Sequence, residues 1–426
     1  MDIEGIIHIW NLPKTKVYID LNKDFKEQIL NNLYSIEPKK RVLERKLNEG
    51  EHSIDNFRNG TKNLAFLLKI QKFLEKNGKS VSLRKIERNI ILMRTCQTQN
   101  IDKSTIYNPK LPINFRTKDA SKLLMGLYCD GWIAKELRIG YSNNDLELKK
   151  DVYNSTSKIF GPITTTISKK EFKLPKICGY FIREIIDFSP GNKTDSNPKF
   201  PEFLVNSNNK EVLNYALRQA FDDEGSIIYS KEKHDRRVVI KLSVDVTNIE
   251  KKERVEILKN NSMEYAPNLI KDIRKMLLNL GIESRIKVIN GEYITKKSKI
   301  RHKWILKISG RKNLENFYKE VGFSIKRKEG KLKKAIEDYE REQYRQKENM
   351  KITLNAAKRL ENEGKDITAK SISKKINRTE GHSKELLNNL VFLKFLKIKK
   401  GCILINGRLQ STIYEVNKWK KVSYYK

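Results

Sequence analysis

The chain is poor in the residues from which metal cages and disulfide frameworks are built. Its four cysteines, Cys96, Cys129, Cys178 and Cys402, lie far apart in 426 residues and form no Cys-x-x-Cys pair. That argues against a zinc site or a stapled secreted domain and fits a reducing cytoplasm, associated with the nucleoid in a prokaryote. The histidines are His8, His52, His234, His302 and His382, and none has metal-ligand spacing to another. Gly-rich phosphate loops are missing. No stretch reaches the roughly 18 apolar residues of a membrane span. The start, Met1-Asp2-Ile3-Glu4, has no basic segment followed by an apolar core, so no signal peptide is expected. Acid is the remaining shortage: 52 Asp and Glu stand against 88 Lys and Arg, a net charge of +36. Such an excess points to a polyanionic partner, nucleic acid first and a membrane surface second.

Against that background one pattern occurs twice. Leu123-Leu124-Met125-Gly126-Leu127-Tyr128-Cys129-Asp130-Gly131-Trp132-Ile133 and Leu217-Arg218-Gln219-Ala220-Phe221-Asp222-Asp223-Glu224-Gly225-Ser226-Ile227 align without a gap. Asp130 falls on Glu224, Gly131 on Gly225 and Gly126 on Ala220. A small residue therefore sits one helical turn before each acid. Two helices of this kind can pack closely and present their acids side by side, and paired carboxylates suit a hard divalent cation.

These segments resemble the two motifs of a single-chain LAGLIDADG homing endonuclease. Phe221-Asp222-Asp223-Glu224-Gly225-Ser226 is the closer match. The first motif departs at Met125 and Tyr128, and the second has Gln219 where the family has Gly. The resemblance implies that the last acid of each motif, Asp130 and Glu224, binds Mg²⁺ or Mn²⁺ and is catalytic. It implies a basic residue near each cleavage point; by place in the chain these are Lys176 and Lys307, with Arg311 as a substitute. Asp222 and Asp223 are read as capping or supporting groups. Inteins share this nuclease fold, but they begin with Cys or Ser and end His-Asn. A chain from Met1 to Tyr424-Tyr425-Lys426 is expected to be free-standing.

The expected architecture is α+β: two pseudo-symmetric αββαββα repeats forming a DNA-binding saddle, over 113–210 and 211–325. A mostly helical domain (1–112) precedes them; a helical connector (326–350) and a winged helix (351–426) follow. In the first domain the pattern suggests a short hairpin from Ile6–Trp10 and Lys16–Ile19. It also suggests a helix over Thr61–Lys76 and one capped by Ser82 running through Ile90 and Ile91, an outline of helix-turn-helix type. In the repeats, Gly131–Tyr141 and Ile163–Ile167 read as strand, Asp145–Phe160 as helix, Ser226–Tyr229 with Val238–Val246 as a hairpin, and Asn268–Leu280 as helix. Lys176-Ile177-Cys178-Gly179 echoes Lys307-Ile308-Ser309-Gly310. In the last domain, helices around Leu354–Leu360 and Ile367–Ile376 lead to a recognition-helix candidate, Ser383–Leu396, and then to a hairpin turning at Asn406-Gly407.

The strands carry basic residues that could meet duplex DNA in the major groove: Lys135, Arg138, Lys169 and Lys170 in the first repeat, Lys231, Lys233, Arg236, Arg237 and Lys241 in the second. Arg311 and Lys384 are added to that surface. The expected activity is metal-dependent double-strand cleavage at a long duplex site by an intron-associated monomer that uses its internal pseudo-twofold. A non-cutting DNA-binding regulator and an RNA-splicing maturase remain open.

Overall fold

Two helices, Lys118–Tyr128 and Lys210–Asp223, lie against each other in the larger of two compact units. That unit comprises Met1–Ile227 with Val238–Gly330; the smaller comprises Ile228–Arg237 with Lys331–Lys426. The computed structural model describes residues 4–95, 105–165, 167–186, 191, 193–232, 235–339, 346–402, 404–405, 408–409 and 411–417. Among them no helix is long and apolar enough to cross a membrane.

The first segment runs β1 (Ile6–Ile7), β2 (Tyr18–Leu21), α1 (Lys23–Ile36), α2 (Lys40–Lys46), α3 (Ser53–Asn59), β3 (Lys62–Asn63), α4 (Leu64–Lys76), α5 (Leu83–Arg88), β4 (Ile90–Arg94), β5 (Thr105–Tyr107) and β6 (Ile113–Asn114). It is less helical than its sequence suggests, because β3-β2-β4-β5 form a four-stranded sheet. The expected hairpin does not form: β1 pairs with β6, while β2 pairs with β3 and β4, Ile19 opposite Met93. Residues 9–11 form a 3-10 turn instead, and the buried Glu87 carboxylate accepts from the Ile9 N–H at 2.9 Å and lies 2.8 Å from His8 Nδ1. Ser82 caps α5 by accepting from the Lys85 N–H at 3.2 Å. The helix stops at Arg88, and the β-branched pair Ile90-Ile91 enters β4 instead.

Next come α6 (Lys118–Tyr128), β7 (Gly131–Ile133), β8 (Ile139–Ser142), α7 (Leu146–Phe160), β9 (Glu171–Lys173) and α8 (Lys176–Arg183). The strands form a three-stranded antiparallel sheet β7-β8-β9. Asp145 caps α7 by accepting from the N–H groups of Glu147 and Leu148, and Gly161, at φ +102°, ends it. Of the strand expected over Ile163–Ile167, Ile163 makes a single bridge to Ile106, and Thr166 lies outside the described residues. Two short helical turns, α9 (Lys193–Ser196) and α10 (Glu202–Val205), lead on.

The chain continues with α11 (Lys210–Asp223), β10 (Gly225–Ser230), β11 (Asp235–Asp245), α12 (Lys251–Asn260), α13 (Asn268–Asn279), β12 (Arg285–Ile294), β13 (Ile300–Ser309) and α14 (Arg311–Glu320). Its sheet has the order β10-β11-β13-β12. The four-residue echo is not structural: Lys176 opens helix α8, whereas Lys307 lies within strand β13.

Beyond α15 (Lys326–Glu337) come α16 (Gln346–Asn362), α17 (Ala369–Lys375), α18 (Glu380–Phe392), β14 (Leu396–Lys400), β15 (Leu404–Ile405), β16 (Arg408–Leu409) and β17 (Ile413–Val416). β14 pairs with β17, β15 with β16, and Ile367 bridges to Tyr414. Leu354, Ala357, Leu360, Ile372, Leu387, Leu390 and Tyr414 share one core. Thr368 and Ser371 cap α17 reciprocally. The expected turn residues Asn406 and Gly407 lie outside the described residues.

Replacing Glu87 by Ala leaves the Ile9 N–H and the His8 ring buried without their acceptor. A loss of about 1–3 kcal/mol is expected, read as a lower urea midpoint at an unchanged slope. An unchanged midpoint would remove Glu87 from this role.

Candidate metal and nucleic-acid site

Helices α6 and α11 meet along their length. Every residue from Ala120 to Tyr128 is buried, and α11 turns Val212, Leu213, Ala216, Leu217, Ala220 and Phe221 inward. Ser121 Oγ donates to the Val212 carbonyl at 2.8 Å across the pair. A Cβ added at Gly126 would lie 3.3 Å from the Tyr141 ring and 3.6 Å from Gln219 Cγ, so the small residue sits at the contact. The larger residues at the neighbouring motif positions are absorbed. Met125 is fully buried, and buried Gln219 donates to Tyr141 Oη and to both Asp223 oxygens at 3.0 Å each.

The glycine after each acid lets the chain turn back from helix to strand. A Cβ at Gly131 would sit 2.5 Å from Leu127 Cα, and one at Gly225 would sit 2.4 Å from the Phe221 carbonyl oxygen. Backbone that close cannot yield to a side chain. The turn fixes where Asp130 and Glu224 emerge at the helix ends.

These two acids, half-buried, form one electrostatic cluster. Burial pushes the Asp130 carboxyl above its usual range, although a hydrogen bond from Asn143 Nδ2 at 2.8 Å and the charges of Lys193 and Lys328 oppose it. Glu224 is raised by burial and then by the Asp130 charge, against the same two lysines. Asp223 is raised well above the carboxylate range by burial and by Asp130; it accepts from Tyr141 Oη at 2.6 Å and from Asn143 at 3.4 Å. Cys129 takes the corresponding place in the first motif, and burial raises its thiol strongly. Asp222 faces elsewhere: it accepts from the N–H groups of Ser324 and Ile325, just before α15.

Buried like charges are costly without a counter-cation. Two carboxylates of this kind suit a hard divalent ion that keeps several waters and takes its other oxygens from phosphate. Among the described residues no group of three or more His, Cys, Asp or Glu could hold a metal, so the chain offers a carboxylate pair and not a full cage.

Two lysines that the sequence reading passed over stand at this cluster. Lys193 Nζ donates to the Leu127 carbonyl at 3.0 Å and to the Cys129 carbonyl. Lys328 Nζ donates to the carbonyls of Phe221 at 3.0 Å and Asp222 at 2.6 Å. Each ammonium thus sits on the last carbonyls of a motif helix, the negative end of its dipole. Burial lowers both lysines, and the neighbouring acids act against that. The residues chosen from sequence are placed differently. Lys176 starts α8, Lys307 lies on β13 opposite Arg285, and Arg311 pairs with Glu315 at 2.8 Å. The charges that oppose the raised carboxyls of Asp130 and Glu224 are those of Lys193 and Lys328.

The four-stranded sheet has one buried and one open face. On β13, His302, Trp304, Leu306 and Ile308 are buried, and Arg301, Lys303, Ile305 and Lys307 point the other way. Arg285 and Lys287 on β12, and Arg237 and Lys241 on β11, share that open face by strand alternation. Arg285, Lys287, Arg301 and Lys303 were not singled out from sequence. Arg237 pairs with Asp235 at 2.9 Å. Arg236, next along the strand, is buried instead: it donates to the Asp338 carbonyl at 2.6 Å beside the rings of Tyr229 and Tyr339. Lys231 is exposed at the β10–β11 turn, and Lys233 lies outside the described residues.

In the first sheet Lys135 and Arg138 are exposed in the β7–β8 turn, with Glu136 3.7 Å from Arg138. Lys169 and Lys170 are exposed just before β9, in a turn held by buried Lys149, whose Nζ donates to the carbonyls of Ser168 and Lys169 at 3.0 and 2.6 Å. Lys384 is exposed on α18.

Residues 211–322 match the family model of a LAGLIDADG-like domain. The matched stretch begins on α11 and ends just past α14, taking in Glu224 and the four-stranded sheet. A search of curated proteins finds no match to the chain.

The raised carboxyl of Glu224 fixes a sign. A carboxyl whose native pKa exceeds its unfolded value, about 4.3, holds its proton longer in the folded state. Stability is therefore lost as pH rises from that value through the native one. In EDTA, thermal unfolding of wild type against Glu224→Gln should show the variant gaining relative stability over this window, and Mg²⁺ should reverse the order at neutral pH. A pH-independent difference would refute the assignment.

Proposed function

We propose that the chain is a site-specific DNA endonuclease of the homing type, making metal-dependent double-strand breaks in a long duplex target. The observation that carries this reading is the placement of Asp130 and Glu224 at adjacent helix ends, each end topped by a lysine, in a chain whose sheet presents a basic face. The LAGLIDADG-like match over the second motif supports the same class.

The order α6-β7-β8-α7-β9-α8 and the order α11-β10-β11-α12-α13-β12-β13-α14, in which α12 is an added helix, read as two pseudo-symmetric halves in one monomer, so that each half addresses one strand. Three helices, a bridge to Tyr414 and two paired hairpin strands read as a winged helix in the last segment, with α18 as its DNA-facing helix.

Asp130 and Glu224 would hold Mg²⁺ or Mn²⁺, which when bound would supply an activated water and neutralise charge at the phosphate. Asn143 orients the Asp130 carboxylate. Lys193 and Lys328 place positive charge beside the scissile phosphates, where negative charge develops. Arg237, Lys241, Arg285, Lys287, Lys303 and Lys307 contact the duplex from the open sheet face, with Lys135, Arg138, Lys169, Lys170, Lys231 and Lys384 adding contacts to its backbone. The unequal halves, three strands against four, favour a second reading in which the fold binds nucleic acid without cutting, as a regulator or a maturase.

Cleavage of a random duplex library by purified protein, in Mg²⁺ and in EDTA, separates these readings. Recurrent metal-dependent ends at one sequence are expected, with Asp130→Asn lowering the rate by roughly 10²-fold or more while retaining affinity. Selective retention with intact strands in Mg²⁺ would exclude the nuclease, and preference for structured RNA would favour the maturase. Affinity should fall steeply with salt in every case.

A further inference from the structure

Helix α9, which carries Lys193, is a single turn of four residues. A turn so short does not hold itself in place, so the position of Lys193 must be set by what grips the segment around it. Every second residue of that segment is tied down, the outer two to α6 and the inner two to elements that follow α11. Lys193 reaches the carbonyls that end α6. Asp195 accepts from Lys299 Nζ at 2.6 Å and from Arg301 Nη2 at 3.1 Å, both on or next to β13. Asn197 accepts from the Asn268 N–H at 2.8 Å and, through its carbonyl, from Asn268 Nδ2 at 2.7 Å, at the start of α13. The Lys199 carbonyl accepts from Tyr128 Oη at 2.6 Å, back on α6. Lys299 is itself anchored, 3.1 Å from Asp245 on β11.

Resting on the nuclease reading, we infer that Asp195 is a positioning residue: gripped by Lys299 and Arg301 of the second sheet, it braces α9 so that Lys193 stays on the end of the first motif helix beside Asp130. An isolated exposed ion pair contributes little. This carboxylate takes two cations at once, and one of them is pinned by a second acid, so the brace is a network and not a pair. It makes the first acid's lysine depend on the second half of the molecule. Lys328 has no such dependence, because it reaches its carbonyls from α15 directly.

Two readouts test the brace. The first needs no activity: amine acetylation of the folded full-length protein, followed by mass spectrometry of Lys193 and Lys328. Asp195→Ala should raise Lys193 labelling several-fold and leave Lys328 unchanged, and Arg301→Gln should move Lys193 in the same direction. Unchanged Lys193 labelling, or equal rises at both lysines, would overturn the brace. Asp195→Asn, which keeps the shape, serves if the alanine variant does not fold.

The second readout is kinetic. On a cleaved duplex, Asp195→Ala should lower kcat about tenfold at unchanged DNA affinity, Asp195→Glu should recover part of it, and Lys193→Ala should add little further loss in the Asp195→Ala background. Full additivity of the two losses would overturn the inference. If the wild-type protein cuts no duplex, the nuclease reading fails, and the labelling result still decides the brace.

Discussion

The structure depends on packing α6 against α11 closely enough that both helices deliver a carboxylate to the same end. Ser121 bonding to the Val212 carbonyl, Gly126 at the contact, and glycines where a Cβ would strike backbone after each acid all serve that approach. The result is electrostatically unfavourable in itself. Asp130, Asp223 and Glu224 lie together in a site that burial has made poor in water, and their carboxyls are raised accordingly. Neutral donors compensate in part: Tyr141, Gln219 and Asn143 surround Asp223. The lysines do not pair directly with the acids; they sit on helix-end carbonyls nearby. Such strain concentrates where a protein is built to receive a partner.

The two motif helices stand in unequal surroundings. The second has four strands, a broad basic face and a lysine from the adjoining helix α15. The first has three short strands and a lysine delivered by a one-turn helix in the connecting segment. Its motif has Cys129 where the second has Asp223, so the third carboxylate of the cluster comes from the second half alone. Contacts tie the surroundings of Asp130 to α11: Tyr141 and Asn143 bond to Asp223, and Lys193 bonds to the end of α6.

What could be read from the sequence was local. The two acids, the glycines beside them and the small residue one turn earlier are short-range signals, and so are the helix ends at Ser82, Asp145 and Gly161. The rest was hidden for physical reasons. Glu87 is one charge on a basic helix in sequence, yet it is buried and bonded to His8 and Ile9, 78 or more residues away. Lys193 and Lys328 bond to main-chain carbonyls, which have no residue identity, so nothing distinguishes them among 88 basic residues. Lys176 and Lys307 were chosen from an echo that falls in a helix on one side and a strand on the other. Arg236 and Arg237 could not both face DNA, since consecutive strand residues point to opposite faces; tertiary packing made Arg236 the buried one.

The central claim is that Asp130 and Glu224 share a divalent cation. Anomalous diffraction from crystals soaked in Mn²⁺ tests it most directly. The account predicts a peak between the two motif-helix ends, within roughly 2–2.5 Å of oxygens from both carboxylates, lost in Asp130→Asn. Mn²⁺ bound elsewhere in the protein with nothing between those carboxylates would contradict it.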